Sequence, residues 1–587
     1  MFKIFKRTSK VERVLMLLSI AFILLQVWMD LKIPDYMSEI TEMLQLDGTT
    51  TADVMDVGIK MIGLSLASFA ASIIVGYFAA RIAAGLTRRV RGAVFDQVAG
   101  YSTHEIQQFS VPSLVTRTTN DLTQIQMLIA MGLQVVIKGP ITAAWAITKI
   151  AGKGFEWTML TLGALAVMLT FITVILVFVR PKFMILQTLT DKLNSVTRES
   201  LTGIRVVRAY NGEAYQESKF EQANQTLTNT NLFTGRMMAM FNPIMTLVSS
   251  GLTLGVYWLG TFLIEDAVGM DKLTTFSDMV VFTSYAMQVV IGFMMMTMIF
   301  FILPRAMVSA NRINEVLAKD SSVPFTDAKQ ANLPSTGTIS FNDISFTYPD
   351  ASESVLEDIS FSANVGETIA FIGSTGSGKS TILKLIPRLF DATKGQILLD
   401  GKDIKEFSQA ELNNIIGYIP QKPVLFSGTI RSNIELGSSF ETPLDESKIY
   451  NALEIAQAKD FVENEPEQLE ARVAQSGNNF SGGQKQRLAI ARVIARKPEI
   501  LLFDDSFSAL DYRTDRKLRN VLKEKLPQTT KLIVAQRIST IMDANLIVVL
   551  DEGKVVGKGT HKELLANNTV YQEIAYSQLS KEELENE

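Results

Sequence analysis

The sequence predicts an α-helical membrane domain of six transmembrane helices with long cytoplasmic extensions, followed by an α/β domain that contains a phosphate-binding P-loop. Two local patterns indicate this: long apolar stretches fill the first half of the chain, and a glycine-rich loop joins an apolar strand to a helix in the second half. The composition agrees, because 47% of the 587 residues are hydrophobic, 20% are charged and the mean hydropathy is +0.20. A chain of this length is sufficient for two or more domains.

The composition also excludes several functions. The chain has no cysteine, which excludes disulfides, thiol catalysis and thiolate metal sites. Its two histidines, His104 and His561, do not indicate a histidine-rich metal site. A formal net charge of -4 is not typical of nucleic-acid binding, so we expect no nucleic-acid partner.

Six stretches approach or exceed the ~20 apolar residues that cross a bilayer as a helix. The first follows a basic N-terminus, and no small-residue cleavage site comes after it, so we interpret it as an uncleaved span rather than a signal peptide. The chain is therefore expected to lie in a lipid bilayer. The six stretches are 14–37, 57–84, 128–151, 158–179, 237–264 and 276–308.

Charge asymmetry predicts the orientation of the spans. The segment 30–56 carries seven acidic residues and one lysine, whereas 81–121 carries five arginines. Because cytoplasmic loops collect Lys and Arg, the N-terminus and the second connection are expected in the cytoplasm, as is the C-terminus after six spans. The segments 84–100 and 192–203 continue the helical pattern beyond the spans, which predicts intracellular stalks.

Two features inside the spans have open interpretations. Lys138 is the clearest ionisable candidate, with Lys60 and Asp278 nearer the edges; it either has a functional role inside the membrane or reaches an interface by snorkelling. Residues 279–298 include six methionines, which suit either a permissive apolar cavity wall or ordinary lipid and helix contact.

The composition becomes polar near residue 320, and prolines follow at 324 and 334. This change predicts a membrane domain over 1–320, a linker over 321–337 and an α/β domain over 338–587.

A glycine-rich loop in the second domain fits the phosphate-binding pattern G-x-x-x-x-G-K-[ST]. It lies between the apolar run 368–372 and a helical pattern. Its glycines let backbone N–H groups surround phosphate oxygens, its lysine is expected to reach the β- and γ-phosphates of ATP, and its final serine is expected to ligate Mg²⁺. The alternative is a glycine-rich turn without nucleotide. The predicted ATP-binding residues here are Gly373, Ser374, Thr375, Gly376, Ser377, Gly378, Lys379, Ser380 and Thr381.

Three downstream strings complete a resemblance. The apolar strand 500–504 ends in Asp504, a Walker B pattern whose carboxylate holds Mg²⁺. The string 480–487 resembles the signature of ATP-binding-cassette (ABC) proteins, and 508–511 resembles the D-loop that follows Walker B in them. With these motifs, essentially the whole chain resembles one half of an ABC exporter. The nucleotide-contacting residues that this resemblance implies are Ser481, Gly482, Gly483, Gln484 and Asp511.

The resemblance implies further roles. Tyr348 matches the aromatic that stacks on adenine, and Gln421 matches the glutamine that ligates Mg²⁺ and senses the γ-phosphate; ordinary packing and a plain loop residue are the alternatives. The segments 116–121 and 206–213 resemble inner loops that dock short helices on the nucleotide domain. In this family the signature faces nucleotide held by a different nucleotide domain.

Two departures from the family pattern affect catalysis. Asp505 stands where the family has the glutamate that polarises the attacking water, and Gln536 stands where it has the switch histidine. Aspartate is one methylene shorter, and ~1 Å of misplacement costs about 10²-fold in rate. Glutamine carries no positive charge near neutral pH. We therefore predict slow hydrolysis at the site of Asp504, Asp505 and Gln536.

These departures resemble the degenerate-site subunit of bacterial heterodimeric multidrug exporters. The expected partner is a second, different half-transporter that carries the complete glutamate and histidine, the expected substrate is a small amphipathic compound, and the expected location is the bacterial inner membrane. A homodimeric lipid or lipopeptide flippase with slow catalysis by Asp505 is one alternative. A regulatory membrane protein that senses ATP is another.

Overall fold

The computed structural model describes residues 1–44, 48–151, 153–268, 270–325, 336–437 and 444–580. Most of the predicted linker, 326–335, lies outside these ranges. The chain folds into two compact units, Met1–Ala99 with Pro112–Lys319 and Gly100–Val111 with Asp320–Glu587.

The first unit is helical, and its described part contains six helices that are long and apolar enough to cross a membrane, as predicted. The protein is thus a multi-pass membrane protein. The helices up to the end of this unit are α1 (Phe2–Phe5), α2 (Lys10–Met43), α3 (Thr51–Ala99), α4 (Thr103–Phe109, within the second unit), α5 (Val111–Thr118), α6 (Asn120–Ile150), α7 (Phe155–Thr202), α8 (Ile204–Ala209), α9 (Glu213–Ala239), α10 (Phe241–Asp266) and α11 (Met270–Ala318).

Several of these helices extend well past an apolar span. Helices α3 and α11 each contain 49 residues, so each is about 74 Å long at 1.5 Å per residue. A hydrocarbon core is only ~30 Å thick. The remaining length forms the extensions that the sequence predicted, because α3 and α7 continue unbroken to Ala99 and Thr202.

The second unit is an α/β domain with a six-stranded sheet in the order β12-β11-β3-β10-β9-β6 and a four-stranded antiparallel sheet in the order β2-β1-β4-β5. Its strands are β1 (Ile339–Phe346), β2 (Leu356–Ala363), β3 (Thr368–Gly373), β4 (Lys394–Leu399), β5 (Lys402–Asp403), β6 (Ile416–Ile419), β7 (Gly428–Thr429), β8 (Arg472–Val473), β9 (Ile500–Asp504), β10 (Thr530–Val534), β11 (Leu546–Asp551) and β12 (Lys554–Gly559). Its helices are α12 (Lys379–Leu385), α13 (Gln409–Ile415), α14 (Ile430–Ile434), α15 (Glu446–Ile455), α16 (Lys459–Glu463), α17 (Gly482–Ala495), α18 (Tyr512–Lys525), α19 (His561–Asn567) and α20 (Thr569–Tyr576).

The parallel core of the six-stranded sheet positions the predicted site. Strands β3, β10, β9 and β6 run parallel, and every residue of β9 and β10 is buried. Because the strands are parallel, their carboxyl ends meet at one edge, where ligands bind in open α/β sheets. At these ends, as the last strand residue or in the segment that follows, lie the P-loop, Gln421, Asp504, Asp505 and Gln536. Both parts of the predicted fold class, six apolar helices and then an α/β domain, are confirmed.

Helix α4 belongs to the second unit, although it lies between α3 and α5 in the chain. Ser102 caps its N-terminus, and the fully buried Glu105 accepts hydrogen bonds from the Ser102 N–H at 3.1 Å and the Ser102 hydroxyl at 2.6 Å. The same carboxylate accepts the N–H of Ser322 at 3.2 Å. One buried carboxylate therefore joins α4 to the chain that follows α11.

Candidate nucleotide site

The P-loop backbone adopts conformations that require glycine. Gly376 has φ +89°, although a Cβ there would have no atom within 4 Å, so the backbone conformation alone selects glycine. Gly378 has φ +93°, and a Cβ would lie 2.5 Å from Leu356 Cδ2 and 3.0 Å from the Val355 carbonyl. Helix α12 begins directly after it, at Lys379. A loop of this shape that leads into a helix N-terminus fits phosphate groups.

The ammonium group of Lys379 lies within this loop. Its Nζ donates to the carbonyls of Gly373 at 2.9 Å and Ser374 at 2.6 Å. Burial lowers the pKa of Lys379, and the nearby charge of Asp505 opposes that shift. The ammonium thus lies among acceptors where a phosphate is expected.

Asp504 at the end of β9 gathers two hydroxyl groups. The Ser380 hydroxyl donates to Oδ1 at 2.5 Å, and the Tyr418 hydroxyl donates to Oδ2 at 3.0 Å. Burial raises the pKa of Tyr418, so its hydroxyl remains a donor at neutral pH. Sequence reasoning missed Tyr418; its position on β6, just before the proline at 420, was the available signal.

Oxygen groups of this kind suit Mg²⁺. The described residues contain no group of three or more His, Cys, Asp or Glu side chains that could hold a metal ion. Mg²⁺ usually binds through one or two carboxylates together with substrate phosphates rather than in an all-protein cage. The pair of Ser380 and Asp504 therefore fits the magnesium that the sequence predicted.

Asp505 lies beside this pair and is only 5% exposed. It adopts a left-handed backbone conformation with φ +51°, and its N–H donates to the Val534 carbonyl at 3.0 Å. Its Oδ2 accepts Nε2 of Gln421 at 3.1 Å and Nε2 of Gln536 at 2.8 Å. Burial raises the pKa of Asp505, while the Gln421 hydrogen bond lowers it. The two residues that depart from the family pattern are thus in direct contact.

Tyr348 lies next to the start of α12. Its hydroxyl is 3.1 Å from the Thr381 hydroxyl, and its ring makes T-shaped contacts with Phe346 and Phe390, with centroid distances of 4.8 Å and 5.2 Å. Two aromatic contacts hold the ring beside the P-loop helix. Adenine stacking by Tyr348 stays a prediction.

The signature residues and Asp511 cap two helices. Ser481 is the N-cap of α17, with a reciprocal pair of hydrogen bonds to Gln484 at 3.3 Å and 2.9 Å. Asp511 is the N-cap of α18 and accepts the Thr514 N–H at 2.9 Å. Gly483 lies close to the D-loop, because a Cβ would be 3.4 Å from the Ala509 carbonyl. In the described part of the chain, the side-chain hydrogen bonds of these residues stay at their own helix ends and do not reach the P-loop.

The chain combines six spanning helices with a P-loop domain. In that domain a buried strand ends at a hydroxyl-carboxylate pair. This combination defines a membrane transporter that uses ATP. Residues 16–294 match the ABC transporter transmembrane region, and residues 356–508 match the ABC transporter domain. The chain belongs to the ABC transporter family; it is an ABC exporter and an ATPase.

Relatives match nearly full length. An ABC transporter ATP-binding protein of Mycobacterium tuberculosis (strain ATCC 25618 / H37Rv) is 38% identical, over 90% of each chain. An ATP-dependent lipid A-core flippase of Pseudomonas fluorescens (strain Pf0-1) is 30% identical, over 84% of this chain and 81% of its own. The fold is similar to a solved bacterial Atm1-family ABC exporter with ATP bound, with a TM-score of 0.79 at 24% identity, over 96% of this chain and 99% of the other.

Proposed function

We propose that this exporter moves amphipathic or hydrophobic compounds out across the cytoplasmic membrane as one half of a heterodimer, and that the ATP site on its own chain is impaired. The observation that carries the proposal is the contact between Asp505 and Gln536 at 2.8 Å. This contact joins the shorter carboxylate of Asp505 to the neutral amide of Gln536. The family pattern has a glutamate and a histidine at these two positions.

Residues of this chain are suited to binding nucleotide. The P-loop N–H groups and Lys379 would hold phosphates, and Ser380 with Asp504 would hold Mg²⁺, which supplies positive charge toward phosphate oxygens when bound. Tyr348 beside α12 would contact the base. The exporter of similar fold has ATP bound in its structure, which supports the same binding here.

Asp505 is less suited to activating water. Its Oδ2 is occupied by two amide donors, and its side chain is one methylene shorter than glutamate. Gln536 stays neutral near pH 7, and its amide does not accept or release a proton as an imidazole does. Both properties weaken the same hydrolytic step, so ATP remains bound longer at this site than at an intact one.

A second half-transporter would complete the molecule. The signature N-cap Ser481 is exposed, and so are apolar side chains around α8, where Val206 is 62% and Tyr210 is 82% exposed. Large exposed apolar groups at a cytoplasmic loop favour contact with another protein. A partner with an intact glutamate would use this signature for its own site, and turnover would occur mainly there.

One comparison favours a second candidate. The Pseudomonas fluorescens relative is named as a lipid A-core flippase, so a homodimer that flips a lipid or lipopeptide is the alternative. In that case Asp505 would hydrolyse ATP slowly in both copies. A regulatory protein that senses ATP would bind nucleotide by the same residues and transport nothing.

The deciding experiment is affinity purification of the full chain, mildly solubilised from its native membrane, with mass spectrometry of the proteins that accompany it. We expect a stoichiometric second half-transporter that contains the missing glutamate and histidine. Recovery of this chain only with itself contradicts the heterodimer and favours the flippase. Uptake of a labelled amphipathic compound into inverted vesicles separates either exporter from a sensor, because a sensor moves nothing.

A further inference from the structure

We infer that a cleft between α2 and α11 binds the protonated amine of an amphipathic substrate at Asp30; this inference rests on the proposed export function, since it names the substrate class. The cleft has a volume of about 250 Å³. Its lining combines one carboxylate with a hydroxyl, an amide and apolar groups. The lining residues are Asp30, Ile33, Pro34, Met37, Ser284 and Gln288.

The spacing of these residues shows that the cleft is lined by one face of α2 and one face of α11. In α2, the lining residues recur at intervals of three and four, and in α11 they are four apart, which places each set on one side of its helix. Pro34 has no N–H for the intrahelical hydrogen bond to the Asp30 carbonyl. That carbonyl and the Asp30 carboxylate are therefore acceptors at the same level of α2.

Asp30 is held in place but not saturated. Lys138 donates to Oδ2 at 3.2 Å, and the Ser68 hydroxyl donates to Oδ1 at 2.5 Å. The side chains of Asp30 and Lys138 are 23% and 20% exposed. An ionised carboxylate has about four lone-pair sites, and these two hydrogen bonds use two of them.

The pair with Asp30 also bears on the role of Lys138. The sequence left this lysine between a substrate role and snorkelling, whereas the structure places it on α6 against the carboxylate of α2. Lys138 is not among the residues that line the cleft, and Asp30 is its charged lining group. A cation in the cleft would therefore meet a carboxylate, and Lys138 competes with it for that carboxylate.

The chemistry of the occupant follows from the lining. A primary amine is protonated near neutral pH and donates three hydrogen bonds, which matches Asp30, the Ser284 hydroxyl and the Gln288 amide oxygen. The apolar body of the compound would lie against Ile33 and Met37. A purely anionic compound would place its charge beside Asp30, so the cleft disfavours it.

The test uses pyrenebutylamine and its uncharged N-acetyl derivative, with the full chain and its co-purifying partner in lipid nanodiscs. Binding is measured by pyrene fluorescence, and transport is measured separately in inverted vesicles. We expect Asp30→Asn to weaken binding of the amine by about tenfold, since hydrogen bonds to charged groups are strong, and to leave the acetylated probe unchanged. The matched control is Asp278→Asn, which breaks another lysine pair, with Lys153 at 2.5 Å, outside the cleft lining.

A second variant separates ligand binding from a structural role of the ion pair. Lys138→Gln frees Asp30 from its competitor, so the amine should bind several-fold more tightly. Equal binding of both probes by the wild-type chain, or equal losses for both probes in Asp30→Asn, would overturn the inference. Amine-selective binding without transport would support the cleft and contradict the export function.

Discussion

Gln536 donates its Nε2 hydrogen to Asp505 Oδ2 at 2.8 Å, and Gln421 donates to the same oxygen at 3.1 Å. The two departures from the family pattern are therefore one contact rather than two separate changes. In the family pattern, a histidine at 536 would face a carboxylate that is one methylene longer.

Restoring both residues should increase hydrolysis at this site. The double variant Asp505→Glu with Gln536→His moves the carboxylate outward and supplies a titratable ring, so the rate should rise by up to about 10²-fold. The measurement is ATP turnover in a reconstituted pair whose partner glutamate is replaced by glutamine. Asp543→Glu, on an exposed side chain, is the control for an added methylene. Unchanged turnover would contradict an impaired site.

Removal of the Lys379 charge should weaken nucleotide binding. Lys379→Ala deletes the ammonium that lies among the loop carbonyls, and charge-assisted hydrogen bonds contribute about 1.5–3 kcal/mol, so affinity should fall at least tenfold. A fluorescent ATP analogue titrated into the purified full chain measures this. Lys384→Ala, in the last turn of the same helix, should leave binding unchanged. Equal affinities for the two variants would refute the assignment.

Glu105 should stabilise helix α4 against local unfolding. Glu105→Gln removes the charge that accepts three hydrogen bonds, at a cost of about 1–2 kcal/mol. Hydrogen exchange of the α4 amides should accelerate by roughly tenfold. Glu213→Gln is the matched control, because Glu213 lies in the first turn of α9, whose N-cap makes no side-chain hydrogen bond. If exchange in α4 stays at the wild-type rate, Glu105 does not hold this helix.

Lys531 should make stability depend on pH. Burial lowers its pKa to about 8 from 10.5, although its Nζ donates to the carbonyls of Leu526 and Thr529. From about pH 8 to 10.5 the unfolded chain therefore binds more protons than the folded chain, and the unfolding free energy rises with pH; below about pH 8 this contribution is constant.

Lys531→Met should lack that rise. Relative to this variant, the wild-type chain should gain on the order of 1 kcal/mol between about pH 7 and pH 9.5, after allowance for solvent screening. Melting midpoints of the two full-length proteins measure the difference. The exposed Lys517→Met variant should follow the wild-type pH profile. A parallel profile for Lys531→Met would show that its charge is not penalised by burial.

Local patterns predicted two parallel strands of the second domain. The apolar runs at 368–372 and 500–504 are strands β3 and β9, since a fully buried parallel strand needs a continuous apolar segment. The position of Tyr418 against Asp504 was not predicted, because it depends on β6 lying beside β9, and sheet order involves residues far apart in sequence. The same applies to Glu105 and Ser322, which are 217 positions apart.

The sequence by itself determined the six spans, the P-loop and the residue types at positions 505 and 536, because span length, loop glycines and side-chain chemistry are local properties. Only the tertiary structure decided that Gln421 and Gln536 both donate to Oδ2 of Asp505. It also decided that Asp30 pairs with Lys138 from a different helix. Hydrogen bonds and ion pairs require atoms within about 3–4 Å, and folding alone brings such distant residues that close.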